Sequence, residues 1–426
     1  MKFYNKNYLA FYGGQKVIKK KFKNYNSIGK EELIAATKVV KSGKLSSFIA
    51  GDGKKSNGGY YVNKFENYLT KFYKVKYAIT LNSWTSGLIA MVGAIDVNPG
   101  DEIITTPWSM CASATAILHW NAIPIFADID KKTFNIDPED VKRKITKKTV
   151  AIIAVDIFGQ SCDIDSIKKV IKGSKIKIIT DSAQSPYCFY KGKITGTLGD
   201  IGGFSLNYHK HINTGEGGVV VTNNDLLARK VRLIRNHAEA ALKNNSKKEL
   251  INMLGYNFRM GEIEAAIGIE QYKKLKKIIK KRSIITSLLN KKLKKIPHLF
   301  TTSDNNNISH NYYIYPILLD WKKIKYSRTF LVNCLKSEGL QGLVEGYANI
   351  HLMPIYQKKI AYGAFGFPWS IYNKKINYKK GICPIAEEMH DKSFIAFNIC
   401  LFEISIKEVE LIYKTFEKVW KILKIY

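Results

Sequence analysis

SLNYHKHINTGEGG, Ser205 to Gly218, is the stretch on which the reading of the whole chain turns. An apolar run enters it at Ile201–Phe204 and another leaves it at Val219–Thr222, so a turn-rich loop joins two strands. The loop carries Lys210 between His209 and His211 and closes on Gly215-Glu216-Gly217-Gly218. A lysine on a glycine-bounded loop between buried strands is a candidate Schiff-base amine, because partial burial lowers its pKa and makes it nucleophilic. Lys and Arg fill 68 of 426 positions, so the residue type alone decides nothing. The order of groups around it does.

Upstream, KIKIITDSAQ reads as a buried strand ending in Asp181. Such an end sets a carboxylate at the rim of a parallel sheet, where open α/β folds bind their ligands. Pyridoxal phosphate asks for a lysine at its aldehyde carbon and an aspartate against its pyridine nitrogen. It also needs a phosphate cradle, and LNSWTSG (Leu81 to Gly87) offers one. There Ser83, Thr85 and Ser86 head an apolar helix, whose free N–H groups and dipole suit an anion.

The succession of phosphate loop, Asp, Ser-x4-Lys and GEGG resembles the DegT-type sugar aminotransferases, a branch of the fold-type I pyridoxal-phosphate enzymes. Matching stretches run from Leu9–Gly14 to the CPIAEEMHD segment that begins at Cys383, including LGYNFRMGEIEAAIG from Leu254. The resemblance implies that Lys210 carries the cofactor and shuttles the proton, and that Asp181 pairs with the ring nitrogen. It implies further that Gln184 bonds the ring hydroxyl and that Ala183 is the small residue beneath the ring. Thr85, the N–H of Trp84 and Ser205 match phosphate ligands, and Asn257 matches an asparagine reaching the phosphate of a partner subunit. Glu216 is expected to order its loop, and Asp156 is given no catalytic role.

Two departures from the family pattern stand out. The ring-stacking aromatic is replaced by Pro107-Trp108-Ser109-Met110-Cys111, leaving Met110 or Cys111 at that position, or Trp108 from a displaced one. Some relatives carry histidine in place of the lysine and dehydrate the sugar instead. Here Lys210 keeps the aminotransferase register before Glu216, with His209 one place away.

Composition bounds these readings. The net charge of +33 would attract polyanions. Its densest run, KKLKKIIKKR (Lys273 to Arg282), sits on an amphipathic pattern with Leu275, Ile278 and Ile279 on one face, so it reads as a solvated helix face and not as a nucleic-acid stripe. Six scattered cysteines without C-x2-C pairing argue against a zinc or disulfide framework and for reduced thiols in the cytoplasm. No apolar run reaches the ~18 residues of a membrane span.

Along the chain, residues 1–30 read as an extended arm with a basic run, and Gly51–Gly59 as a flexible loop. From Lys76 onward short apolar strands alternate with helical spans, which argues for a mainly parallel sheet. The expected organisation is an arm (1–30), a large cofactor domain (31–282) and a small C-terminal α+β domain (283–426). The resulting expectation is a fold-type I, pyridoxal-phosphate-dependent aminotransferase. It would move an amino group from glutamate to a keto-sugar, most plainly a nucleotide-linked one, as a homodimer with shared active sites and no metal. The alternatives are a sugar dehydratase of the same fold and a non-catalytic basic regulatory or nucleic-acid-binding protein. Sugar contacts are left unassigned among Tyr312, Tyr313, His351 and Gly363–Trp369.

Overall fold

The computed structural model describes residues 8–49, 54–238, 251–302, 307–372 and 375–426. The first seven residues of the expected arm, and residues 51–53 of the expected flexible loop, lie outside that set.

Two helices open the described chain, α1 (Lys30–Lys41) and α2 (Tyr60–Tyr73). Gly29 caps the first and Gly43 follows it at φ +66°, a left-handed turn that costs glycine little. Strand β1 (Tyr77–Leu81) then leads into α3 (Trp84–Ala94). The alternation continues through β2 (Glu102–Thr105), α4 (Ala112–His119), β3 (Ile123–Phe126), α5 (Pro138–Lys144), β4 (Thr149–Val155), α6 (Ile164–Val170) and β5 (Lys177–Asp181). A small hairpin of β6 (Phe189–Tyr190) and β7 (Lys193–Ile194) precedes β8 (Ile201–Ser205), β9 (Gly218–Thr222) and α7 (Asp225–Arg235).

Seven of these strands form one sheet in the order β1-β9-β8-β5-β4-β2-β3. Only β9 runs against its neighbours. The mainly parallel sheet is therefore present, and helices cover both of its faces, as its near-continuous buried strands require. Because β9 reverses twice, β1, β5 and β8 all point the same way. Their C-terminal ends, Leu81, Asp181 and Ser205, share one edge of the sheet.

A buried pair pins this edge from behind. Arg235 donates to Glu66 at 2.6 Å, and Glu66 also accepts from the backbone N–H of Thr80 at 2.9 Å. Helices α2 and α7 are thereby tied to β1, in an arrangement where removing one partner leaves a buried charge uncompensated.

A 32-residue helix, Glu262–Leu293, runs unbroken through the point where the sequence divided large from small domain. Its first turns pack on α2, and Leu289 and Leu293 enter a second core. That core lies under a four-stranded antiparallel sheet in the order β10 (Leu299–Thr301), β11 (Tyr315–Leu319), β13 (Phe394–Phe397), β12 (Leu343–Glu345). Leu9, Ile18 and Phe22 of the N-terminal segment join the same core. Leu275 and Ile279 are buried as the amphipathic pattern demanded. Arg282 departs from it. The sequence placed this residue on the solvated face, but it is 8% exposed and donates to His211 Nδ1 at 3.0 Å. At the last residue of the basic run, the helix has already rotated its side chain into the junction with the second sheet.

Candidate active site

The site is built where β1, β5 and β8 end. Strand β1 stops at Leu81, and Ser83 turns the chain into α3 by accepting from the N–H of Ser86 at 3.0 Å. The first-turn N–H groups of Trp84 and Thr85 have no acceptor within the helix, by position. Thr85 is exposed, so its hydroxyl and both N–H groups front the edge. The GEGG segment packs against this turn. A Cβ on Gly218 would lie 2.5 Å from Ser83 O and 2.8 Å from Trp84 N, which is why a glycine stands there. Ser205, opposite Gly218 in the β8–β9 register, is buried with its hydroxyl accepting from Asn207 N at 3.3 Å.

Asp181 ends β5 and is 3% exposed. Burial pushes its carboxyl upward, while hydrogen bonds from Ser113 and Trp84 pull the other way. Lys210 stands across from it, its Nζ 4.4 Å from the centre of the Tyr313 ring. Burial lowers the amine to about 8, against the attraction of Asp181 and Cys400. A lysine so placed is deprotonated in a useful fraction near neutral pH, which is what a nucleophilic amine requires. The flanking histidines serve otherwise. His211 is fully buried between Asn311 and Arg282, and burial holds His209 down to about 4. Lys210 is the one lysine among the described residues that lines the adjoining cleft of about 300 Å³, shared with Tyr25, Tyr208 and Cys400.

Gln184 gives its Oε1 to the N–H of Phe158 at 2.7 Å and turns its Nε2 toward Tyr347 Oη at 3.4 Å. Ala183, half-buried, donates its N–H to Asp181 at 3.2 Å. Asn257 is exposed, and its carbonyl accepts from Asn82 Nδ2 at 3.4 Å, so its loop lies against the start of the α3 turn. The sequence-derived residues thus converge on one edge.

The open question of the stacking residue narrows. Trp108 is fully buried, parallel to Phe134 at 6.1 Å, edge-on to Phe394 at 4.9 Å, and bonded through its indole to Asn349 at 2.9 Å. It is committed to that aromatic cluster and has no face to offer. Met110, 59% exposed, and Cys111, the residue before α4, remain at the turn. Of the unassigned sugar-contact candidates, Tyr313 meets the site through Lys210. Tyr312 and His351 are buried elsewhere, the latter bonded to Glu387 at 2.8 Å. Ser113 and the indole of Trp84, both on Asp181, were not legible beforehand: a serine inside a helix carries no signal of what it faces.

Asp156, one strand over, makes a pH prediction. Its carboxylate accepts from Ser182 at 2.5 Å and from Cys162 N at 2.8 Å, yet complete burial raises it to about 7. The folded protein then holds a proton that the unfolded chain releases near its ordinary 3.8. The associated stability is present below that value and is lost as pH rises through about 7. Asp156→Asn keeps both hydrogen bonds, with Nδ2 donating to Ser182, and has nothing to ionise. The wild-type melting temperature is expected to fall from pH 5 to pH 8 relative to the variant, by on the order of 3 kcal/mol in stability. Parallel melting curves would contradict the assignment.

Among the described residues, no group of three or more His, Cys, Asp or Glu could hold a metal ion, and no helix is long and apolar enough to cross a membrane.

Comparison with known proteins agrees with this geometry. Residues 28–393 match the model of the DegT/DnrJ/EryC1/StrS aminotransferase family. The GDP-perosamine synthase of Vibrio cholerae is 32% identical over 330 residues, covering 77% of this chain and 88% of that protein. The spore coat polysaccharide biosynthesis protein SpsC of Bacillus subtilis is 33% identical over 371 residues, 85% of this chain and 92% of its own. Among solved structures, Helicobacter pylori PseC, an aminotransferase involved in the biosynthesis of pseudoaminic acid, superposes with a TM-score of 0.77. It is 26% identical and covers 94% of this chain and 100% of that one. With the lysine, the aspartate and the helix turn in place along nearly the whole matched length, the chain belongs to the DegT/DnrJ/EryC1/StrS aminotransferase family.

Proposed function

We propose that the protein is a pyridoxal-phosphate-dependent aminotransferase that passes an amino group from glutamate to a nucleotide-linked keto-sugar. The observation that carries this reading is the buried amine of Lys210 beside the buried carboxylate of Asp181, at a sheet edge that also presents a helix N-terminus. These groups fit the cofactor by chemistry. A depressed lysine suits an aldehyde, an acceptor-only carboxylate suits a protonated ring nitrogen, and the α3 turn with Thr85, Ser205 and the Trp84 N–H suits a phosphate. Pyridoxal phosphate, when bound there, supplies an aldehyde for amines and a ring that draws electrons from the substrate carbon.

The chain's own residues do the rest. Lys210 would hold the cofactor's aldehyde carbon, and its Nζ, as a free amine, would accept the proton from the donor's α-carbon and deliver one to the sugar carbon. Asp181 stays ionised to hold the ring nitrogen's proton. Gln184, with Nε2 near Tyr347, is the residue for the ring hydroxyl, and Ala183 leaves room for the ring. Met110 or Cys111 would pack a sulfur against the ring where relatives carry an aromatic. The relatives support the sugar class, since GDP-perosamine synthase and a UDP-linked altrosamine transaminase of Helicobacter pylori are named for nucleotide-linked amino sugars. Six free cysteines fit a reducing compartment, the cytoplasm.

Incubation with glutamate and a panel of nucleotide-linked keto-sugars tests the reading: 2-oxoglutarate and an amino sugar are expected. Loss of a sugar hydroxyl without amino transfer would make the protein a dehydratase.

The proposed assembly is a homodimer with shared sites, in which Asn257 serves the phosphate of the partner subunit. Asn257→Asp sets a carboxylate against a phosphate, a like-charge contact. Mixed with Lys210→Ala under conditions of subunit exchange, it should regain activity. One site of each mixed dimer then combines native Lys210 with native Asn257, while the other carries both lesions. If Asn257 serves its own chain, every site keeps a lesion, and mixing differently tagged chains restores nothing.

A further inference from the structure

Asp181 is held by more than the strand that ends in it. Its Oδ1 accepts from the indole Nε1–H of Trp84 at 2.7 Å, and its Oδ2 accepts from the hydroxyl of Ser113 at 2.8 Å. The N–H of Ala183 adds a longer contact to Oδ1 at 3.2 Å.

Trp84 cannot turn away. Its six-membered ring lies over Gly203 of β8 and Gly87 of α3. A Cβ on Gly203 would sit 2.7 Å from Cζ3, and one on Gly87 3.0 Å from Cε3. The indole is 7% exposed and fills space those two glycines leave, so its N–H is aimed by packing.

Ser113 is aimed by a hydrogen-bond relay. Its Oγ lies 2.7 Å from Ser109 Oγ, and both side chains are buried. A hydroxyl has one proton. Since an ionised Asp181 can only accept, Ser113 donates to it, and Ser109 must therefore donate to Ser113. The direction of the whole relay is thus set by a negative charge on Asp181. The charged or titratable groups facing that carboxylate are Lys210, Asp156 and Tyr347. Of these only Lys210 is cationic, so the two neutral donors carry much of the task of keeping a buried carboxylate ionised.

We propose that Trp84 and Ser113 are positioning residues of the transamination, holding Asp181 charged and oriented toward the ring nitrogen it serves. The inference rests on the function proposed above, and it gives Trp84 a second role through its side chain, beside its backbone N–H. Neither residue touches the reacting atoms.

The test uses the full chain. Trp84→Phe keeps an aromatic ring at this position but removes the N–H donor together with the outer part of the indole over Gly203; Ser113→Ala removes the other donor. Each is expected to lower kcat of the glutamate half-reaction about tenfold, the size of a lost hydrogen bond to a charged acceptor, with KM changed little. In the Asp181→Asn background the same substitutions should cost almost nothing further, because they act through Asp181. A full additional tenfold loss there, or near-native single variants, would overturn the proposal.

The second readout needs no activity. In the cofactor-free protein labelled with 15N-tryptophan, the Trp84 indole resonance, identified by its loss in Trp84→Phe, should move in Asp181→Asn while the other five stay. An unmoved resonance would refute the contact even if the transamination reading stands. A moved one would uphold the contact even if the keto-sugar assay fails. Should Trp84→Phe not fold, Asp181→Asn against Ser113→Ala still reports, since removing Ser113 is expected to shift the same indole signal, and no shift would count against the proposal.

Discussion

Lys210→Ala is expected to abolish transamination and to leave no borohydride-reducible link between protein and cofactor. The loss should be at least about ten-thousandfold, because the one amine both bonds the cofactor and carries the proton. The structural reason no neighbour substitutes is local. His211 is locked by Asn311 and Arg282, His209 is an imidazole and so offers no primary amine, and no other lysine of the described residues lines the cleft. Reduction followed by peptide mass mapping decides the point. Label on Lys210 of the wild type and none on the variant is the expected result; label on another lysine would overturn the assignment.

Asp181→Asn is the second large effect. The substitution preserves shape, and the amide oxygen can still accept from Trp84. Its nitrogen, however, faces Ser113, which must then reverse and accept, turning the Ser109 relay with it. More consequentially, an amide has no charge with which to keep a ring nitrogen protonated, so the electron sink is weakened at the step that needs it. Cofactor binding should survive through the α3 turn and Lys210, while the half-reaction with glutamate slows by at least about a hundredfold, ~2.7 kcal/mol. Single-turnover measurement on the cofactor-loaded variant separates the two quantities. A near-native rate would remove Asp181 from the chemistry; lost cofactor binding would make it a structural residue.

Both predictions concern residues that could be named before any coordinates existed. The period of the apolar runs marked β1 through β5 and β8–β9 with the helices between them, because a strand buried on both faces must be written in Ile, Val and Ala whatever surrounds it. The cap was equally local: Ser83 before Trp84 satisfies an N–H group within one turn of itself. The placement of Asp181 at a strand end and of Lys210 on the loop between two strands followed from the same local signals, joined by their order along the chain.

What the sequence could not determine depends on which strand lies beside which. Trp84, which follows β1, meets Asp181 across 97 positions because only β9 and β8 separate β1 from β5, and Ser113, on the helix after β2, meets it across 68 because only β4 separates β2 from β5. The inward turn of Arg282 was hidden for a similar reason. Helical periodicity shows which side chains share a face, but only the docking of the second sheet at that point made its face an interior one. Trp108 offered an aromatic ring where a stacking partner was sought, and the tertiary structure spent it on Phe134 and Phe394 instead. Local chemistry is written in neighbouring residues and can be read there. The environment of a buried polar or aromatic side chain is set by segments far along the chain, and it takes shape only when they pack.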